Sequence, residues 1–250
     1  MSDPRVTAIV INWRRPDNTQ RIIRALRQSS ERCHIIICDV LVDGCYHKDA
    51  FFEGADEVTH LSRNHGGFNR LVPAMLVQTE FVYFHDDDML PGPEAIGALV
   101  RCADGMLSLG ALGQIGRVYP GGEFSTDDVL RQPHGCCVQV DNVIRGALVR
   151  SSLLPAVMHF WQRHGRHFTT HEGLVHDDLL LSFALRAAGN LNRLMPVDNR
   201  NDTMINSQEL PDQFAFCRRP THRPEREAIV RWFNEQFPGR LAPLLPFVTP

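Results

Sequence analysis

The stretch Phe81-Val82-Tyr83-Phe84-His85-Asp86-Asp87-Asp88-Met89-Leu90 runs four strand-favouring residues straight into three adjacent acids. β-Branched and aromatic side chains suit a packed, pleated surface, so 81–84 reads as a core strand. The acids then stand where that strand leaves the sheet. Three carboxylates side by side repel each other unless a cation or solvent relieves them. In an open α/β sheet, ligands bind outside the carboxyl ends of the strands. A hard divalent cation takes oxygen ligands and commonly shares them with a substrate phosphate. The stretch therefore predicts a metal-diphosphate site at 86–88, with a solvated acidic turn as the alternative.

Upstream of it, Val6 to Ile11 is a buried-strand run closed by Asn12-Trp13-Arg14-Arg15-Pro16. Asp17 or Asn18 can cap a following helix that has Ile22, Ile23 and Leu26 on one face and Arg21, Arg24 and Arg27 around the other. Cys33 to Cys38 is a second strand ending at Asp39, and Asp56 to Leu61 is a short third. A polar turn at Ser62 to Gly67 leads to a helix expected near 68–78. Strands alternating with helices predict a parallel, doubly wound sheet. Right-handed crossovers would then bring Asn12 to Arg15, Asp39, Asn64 to Gly67 and Asp86 to Asp88 to one crevice.

Downstream, a helix is expected to start over 94–100 and a strand to run over 111–118. Residues 123–135 read as a polar loop, followed by strands over 136–144 and 146–149 that are separated by a bend at Arg145-Gly146. Helices are expected over 153–164, over 179–188 with Gly189 as the C-terminal cap, and over 225–237. Residues 194–197 read as a short edge strand and 198–222 as a mobile loop. The fold class is α/β: a single Rossmann-like domain with a mostly parallel central sheet flanked by helices. Its two halves would be 1–90, binding nucleotide, and 91–237, catalytic and acceptor-binding, before a Pro-rich tail at 238–250.

The 250 residues, 43% apolar, can bury a sizeable core, and the net charge of −3 gives no general surface for polyanions. Lys48 is the only lysine among 26 basic residues; arginine is the better bidentate phosphate ligand, but a GC-rich genome gives the same bias and is the simpler cause. Seven cysteines without a CxxC pair, several inside apolar runs, predict reduced thiols and a cytoplasmic protein. The N-terminus does not read as a signal peptide, and no run approaches the ~18 apolar residues of a membrane span.

A second acidic pair, Asp177-Asp178, directly precedes the apolar run 179–188. Capping of that helix is the simpler reading. A base or charge stabiliser facing the crevice is the functional one. His85, His171 and His176 lack HxH or HExxH spacing and do not predict a zinc site. Arg218, Arg219, Arg223 and Arg226 gather around His222, and arginine in a first helical turn opposes the macrodipole, so an anion is expected there.

Together these residues resemble a GT-A glycosyltransferase, the nucleotide-sugar-dependent class. Asn64 to Arg70, a helix, and then Phe81 to Leu90 resemble that class's approach to its DxD motif. Asp177-Asp178 before LLLSFALRAAG resembles its ED-then-apolar-helix motif, with Asp177 in place of Glu. Among subfamilies the chain is similar to the exostosin-type transferase domain through Asn69-Arg70-Leu71-Val72-Pro73, the three acids, and the His-x-x-Glu-Arg run at His222 to Arg226. The resemblance implies a metal-dependent transferase using a nucleoside-diphosphate sugar, with UDP-sugar as donor and Mn²⁺ or Mg²⁺ as cofactor. Asp86 and Asp88 would flank the metal. Asp86 would also lie close to the ribose, and Asp87 would line the donor site. Asn12, Arg14 and Asp39 would contact the base or its sugar, and Asn64 and Arg70 the nucleotide or its phosphates. Asp178, with Asp177 beside it, would stand by the anomeric carbon. Arg226 and His222 would neutralise the departing diphosphate. The exostosin likeness implies retention of configuration, which is favoured, and the broader GT-A likeness implies inversion with Asp178 as base; the acceptor would be a glycan or a hydroxymethylated DNA base. The alternatives are a sugar nucleotidyltransferase, against which the lack of a Gly-rich, Lys-containing loop after the first strand counts, and a catalytically dead nucleotide-sugar- or glycan-binding module.

Overall fold

A computed structural model describes residues 3–124, 129–131, 135–196, 203–211 and 216–241. In chain order its elements are β1 (Val6–Asn12), α1 (Pro16–Arg27), β2 (Cys33–Val40), β3 (Glu57–Leu61), the single turn α2 (Leu71–Ala74), β4 (Phe81–His85) and β5 (Met89–Leu90). There follow α3 (Ala95–Asp104), β6 (Leu109–Gly113), β7 (Ile115–Arg117), β8 (Val129–Arg131), β9 (Val138–Val140), β10 (Asn142–Ile144) and β11 (Ala147–Arg150). The last are α4 (Leu154–His164), α5 (Asp177–Ala187), β12 (Leu191–Leu194), β13 (Gln208–Glu209) and α6 (His222–Gln236).

Among the described residues the central sheet has eight strands in the order β3-β2-β1-β4-β11-β6-β12-β9. The pairs within β3-β2-β1-β4 are parallel, as is β6 with β12, whereas β11 and β9 run antiparallel to their neighbours. The fold is thus α/β with a mostly parallel sheet flanked by helices, as expected. Both faces of the sheet are covered, so its strands need apolar residues on both sides. Val6, Ala8 and Val10 of β1 pack with Ile22, Ile23 and Leu26 of α1 and with Leu99 of α3. Ile9, one step along the strand, faces the opposite layer, which holds Leu179, Leu180 and Phe183 of α5 and Val230 and Phe233 of α6.

The register aligns the exits of the strands. Asn12 lies opposite Asp39 across β1–β2, and Val10 lies opposite His85 across β1–β4. Asn12, Asp39 and Asp86 therefore leave the sheet along one edge.

Several segments differ from the sequence expectation. The helix expected over 68–78 is a 3-10 turn at Phe68–Arg70 and the one turn of α2. Pro73 has no N–H to give the Asn69 carbonyl, which faces the Cys38 thiol instead (3.8 Å). The strand expected over 111–118 splits, because at Gly113 the side chain of Val143 and the carbonyl of Gly146 crowd the backbone, and the chain then leaves for a second sheet. The bend at Arg145-Gly146 is present, with φ of 64° and 145°, and a further break falls between β9 and β10. β12 is interior rather than an edge, since β9 returns to pair outside it. Of the loop expected over 198–222, residues 198–202 and 212–215 lie outside the described residues, as do 242–250 of the expected tail. Residues 203–211 do not form a free loop. Gln208–Glu209 pairs with Met89–Leu90, and the Leu210 N–H donates to the Asp88 carbonyl (2.7 Å). α6 begins three residues earlier than expected, at His222.

Candidate functional site

At the exits of β1 and β2, Asn12 and Asp39 are both fully buried and bonded to each other, Nδ2 to Oδ1 at 2.8 Å. The Thr19 hydroxyl donates to Asn12 Oδ1 (2.9 Å) and so fixes the amide's orientation. Arg14 has φ of 65°, pairs with the exposed Asp43 (3.3 Å) and lies over the Trp13 ring.

The three acids after β4 have three different surroundings. Asp87 is buried and ion-paired with Arg15, and it accepts from the Trp13 backbone N–H (3.3 Å). Burial pushes its carboxyl up to about 7 against the pull of Arg15. Asn18 ties down the same residue by donating to its carbonyl (3.0 Å). Asp86 keeps about a third of its side chain exposed and accepts from Arg70 Nη1 (2.6 Å). Asp88 is half-buried. His85, just before them, is wholly buried. Its Nε2–H donates to the Met89 carbonyl (2.7 Å), its Nδ1 accepts from the Tyr83 hydroxyl (3.1 Å), and burial holds it neutral with a pKa of about 4.

Arg70 joins this cluster to the second. Its Nη2 donates to Asp177 Oδ2 (2.6 Å) while Nη1 holds Asp86. The turn before Arg70 is shaped for that contact. Asn64 Oδ1 accepts from the Gly66 N–H (2.8 Å), Gly66 takes φ of 67°, and a Cβ on Gly67 would run into the Asp177 carboxylate. Only glycine allows so close an approach. Asn64 and Arg70 thus act first on the protein itself.

Asp177 and Asp178 form the first residues of α5, yet neither side chain caps the helix. Asp178 faces Arg226 of α6, which donates Nη1 to Oδ1 (2.9 Å) and Nη2 to Oδ2 (2.7 Å). Asn142 of β10, fully buried, adds a bond to Oδ2 (2.9 Å), and the Ser182 hydroxyl holds Asn142 Oδ1 (2.9 Å). Burial alone would raise the Asp178 carboxyl, but Arg226 and Asn142 hold it well below the usual carboxylate range. Asp177 moves the other way, raised by burial against the pull of Arg70. The anion expected at the start of α6 is therefore internal: Arg226 is answered by Asp178, Arg219 by Glu172 (2.7 Å) and Arg223 by Glu227 (2.8 Å). His222 stands beside the buried His176, ring centroids 5.4 Å apart, and burial with Arg226 nearby lowers it to about 4.

Sequence reasoning missed Asn142, Ser182 and His47, and placed Arg15 in the crevice without giving it a role. Arg15 was legible as part of the turn after β1, but nothing in the local pattern marks Asn142, which sits in a three-residue strand 36 residues from its carboxylate.

Among the described residues no group of three or more His, Cys, Asp or Glu side chains is gathered as a metal cage. Asp86 and Asp88 do offer an oxygen-only donor set at the sheet edge. A Mg²⁺- or Mn²⁺-like ion that keeps waters and shares phosphate oxygens asks no more of a protein. By side-chain chemistry Asp86 and Asp88 are the residues that suit such an ion, with one oxygen of Asp86 already taken by Arg70. No helix among the described residues is long and apolar enough to cross a membrane.

The fold is shared with TarS of S. aureus. Residues 1–349 of TarS match with a TM-score of 0.50 and 14% identity over 78% of this chain, and a second TarS structure with a TM-score of 0.50 and 16% identity over 77%. This chain spans 58% of the first and 35% of the second. Identity this low speaks for the fold alone, and that fold is the GT-A-like α/β fold of glycosyltransferases. No family model matches the chain, and no curated protein matches it.

Proposed function

We propose that this protein is a glycosyltransferase that moves a sugar from a nucleoside-diphosphate sugar, UDP-linked in the simplest case, to a glycan acceptor. The observation that carries the reading is the Arg70 bridge. One buried guanidinium ties the acids at the exit of β4 to the acids at the start of α5, so that both motifs serve a single site. The GT-A-like fold supports the same reading. The exostosin-type likeness rests on the motifs at Asn69, at Asp86 and at His222 to Arg226. No feature of the described residues favours a DNA base as acceptor.

Asp88, with Asp86, would hold a divalent cation, which when bound would offset charge on the donor's diphosphate. The rest falls to the chain's own groups. Breaking the anomeric C–O bond leaves negative charge on the diphosphate and makes the sugar oxocarbenium-like. Arg226 is preorganised for the first charge. A guanidinium has five N–H donors, so bonding Asp178 does not exhaust it. Asp178, kept ionised by Arg226, supplies negative charge for the second. Retention is the outcome that the exostosin-type likeness implies, and in it Asp178 stabilises charge rather than deprotonating the acceptor.

Calorimetric titration of UDP with and without Mn²⁺, on wild type and Asp88→Asn, tests the donor site. UDP should bind in a metal-dependent manner, and the variant should lose about tenfold or more of that affinity. Equal affinity in the two proteins would remove the acids at 86–88 from the site. The anomeric proton coupling of the product in NMR decides retention against inversion.

A further inference from the structure

The seat that Asn12 and Asp39 would offer a nucleobase is already filled by the chain itself. The buried Asp39 carboxylate is surrounded. Its Oδ1 accepts from Asn12 Nδ2 (2.8 Å) and lies 2.6 Å from His47 Nδ1. Its Oδ2 accepts from the His47 backbone N–H (3.1 Å) and lies 3.3 Å from His60 Nδ1. The same His47 Nδ1 is also 3.0 Å from Asn12 Nδ2. At 2.6 Å from the carboxylate the ring nitrogen carries the hydrogen and donates to Asp39 Oδ1, alongside the Asn12 amide that the Thr19 hydroxyl orients toward the same oxygen.

His60 is the most exposed of these groups, and His47 is partly exposed beside it. Asp39 is wholly buried, whereas the His47 side chain is 15% exposed. It rides on the segment between β2 and β3, which turns tightly through Asp43 (φ 49°) and Gly44 (φ 83°) and closes on itself by paired hydrogen bonds between Val42 and Cys45 (3.0 Å each).

We propose that His47 is an internal occupant of the base subsite, a flat heteroaromatic ring that holds the Asn12–Asp39 pair until the base of a nucleoside diphosphate displaces it. This rests on the donor reading above and adds a residue that sets donor affinity. The physical logic is that of a competing closed state: the apparent dissociation constant rises by the inverse of the fraction of molecules whose seat is open. A base N–H that donates to Asp39 Oδ1 replaces the one hydrogen bond the ring nitrogen makes, so the carboxylate is satisfied in either state.

The test is UDP binding, with Mn²⁺ present, to wild type and to His47→Ala. Removing the occupant should tighten UDP binding by about threefold or more. Free imidazole, which can refill the emptied seat, should then weaken UDP binding to His47→Ala and leave wild type unaffected. Unchanged or weaker binding of UDP to the variant would overturn the assignment of His47 while the donor site stands. Tighter binding that imidazole does not oppose would also overturn it, because a merely loosened segment would behave that way. Absence of UDP binding to both proteins would remove the donor reading and this inference with it. Should His47→Ala not fold, His47→Ser carries the same expectations.

Discussion

The two acidic clusters share a local sequence, His85-Asp86-Asp87 and His176-Asp177-Asp178, and differ in what surrounds them. Each begins with a buried histidine that burial keeps neutral, at about 4 for His85 and about 3 for His176. At the exit of β4 only the middle acid is sealed, by Arg15, and Asp86 and Asp88 stay partly open. At the start of α5 Asp177 takes the other arm of the Arg70 that holds Asp86, and Asp178 is held by Arg226 and Asn142. The first cluster leaves two carboxylates partly exposed, and the second holds Asp178 as a charge at a fixed point. Charges preorganised in that way contribute most when a transition state develops the opposite charge.

The strongest attempt to break this contrast is Asp178→Asn. It keeps the hydrogen-bonding shape and removes the fixed charge. Turnover of a UDP-sugar should fall by about 10²–10³-fold with UDP affinity nearly unchanged. A variant with wild-type turnover and only lower stability would reduce Asp178 to a structural partner of Arg226.

Arg70→Ala comes next, because it separates the clusters. Asp86 and Asp177 would be left facing the same gap without their shared cation. Breaking a buried pair from one side costs about 3–5 kcal/mol. Urea unfolding at pH 7 should show a loss of that order, and Arg70→Lys should recover little of it, since a single ammonium lacks the fork that reaches both acids. A loss under 1 kcal/mol, as a surface pair would give, would deny the bridge its role.

The histidine common to both clusters predicts a pH effect. A histidine whose folded pKa lies below its unfolded value, ~6.5, contributes stability that is present above that value and lost as pH falls through the folded one. For His85, which titrates at about 4 in the fold, the loss between pH ~6.5 and 4 should total about 3 kcal/mol. Urea midpoints across this range should fall more steeply for wild type than for His85→Gln. Parallel slopes would mean that the acids alone carry the pH dependence.

The smallest effect is expected at Arg223, which lies one turn before Arg226 but reaches only the neighbouring Glu227 and is mostly exposed. Arg223→Ala should change stability by about 0.5 kcal/mol or less and leave turnover alone. A large loss of turnover would move the working end of α6 from Arg226 to the whole basic run.

The sequence by itself determined the layers of this protein. Apolar runs at 6–11, 33–38 and 81–84, each ending in a polar residue, are enough to specify buried parallel strands whose exits share an edge, because side chains alternate faces and both faces must be covered. It also marked Asp86 to Asp88, Asp177-Asp178 and Arg226, since charges directly beside apolar runs stand out by composition. What those charges do to one another was decided only by tertiary structure. Local order cannot say that Arg70 lies between Asp86 and Asp177, that Asp178 meets Arg226 and Asn142, or that His47 sits on Asp39, because each contact joins residues from separate elements. The one-turn α2 and the interior place of β12 were hidden for the same reason. Pro73 withholds an N–H from the short helix, Gly67 allows the close approach to Asp177, and β12 is interior because β9 comes back to pair with it. Helix and strand periods are written along the chain. The pairing of a buried charge with its partner is set by which elements the packing brings face to face, and only the folded chain holds that information.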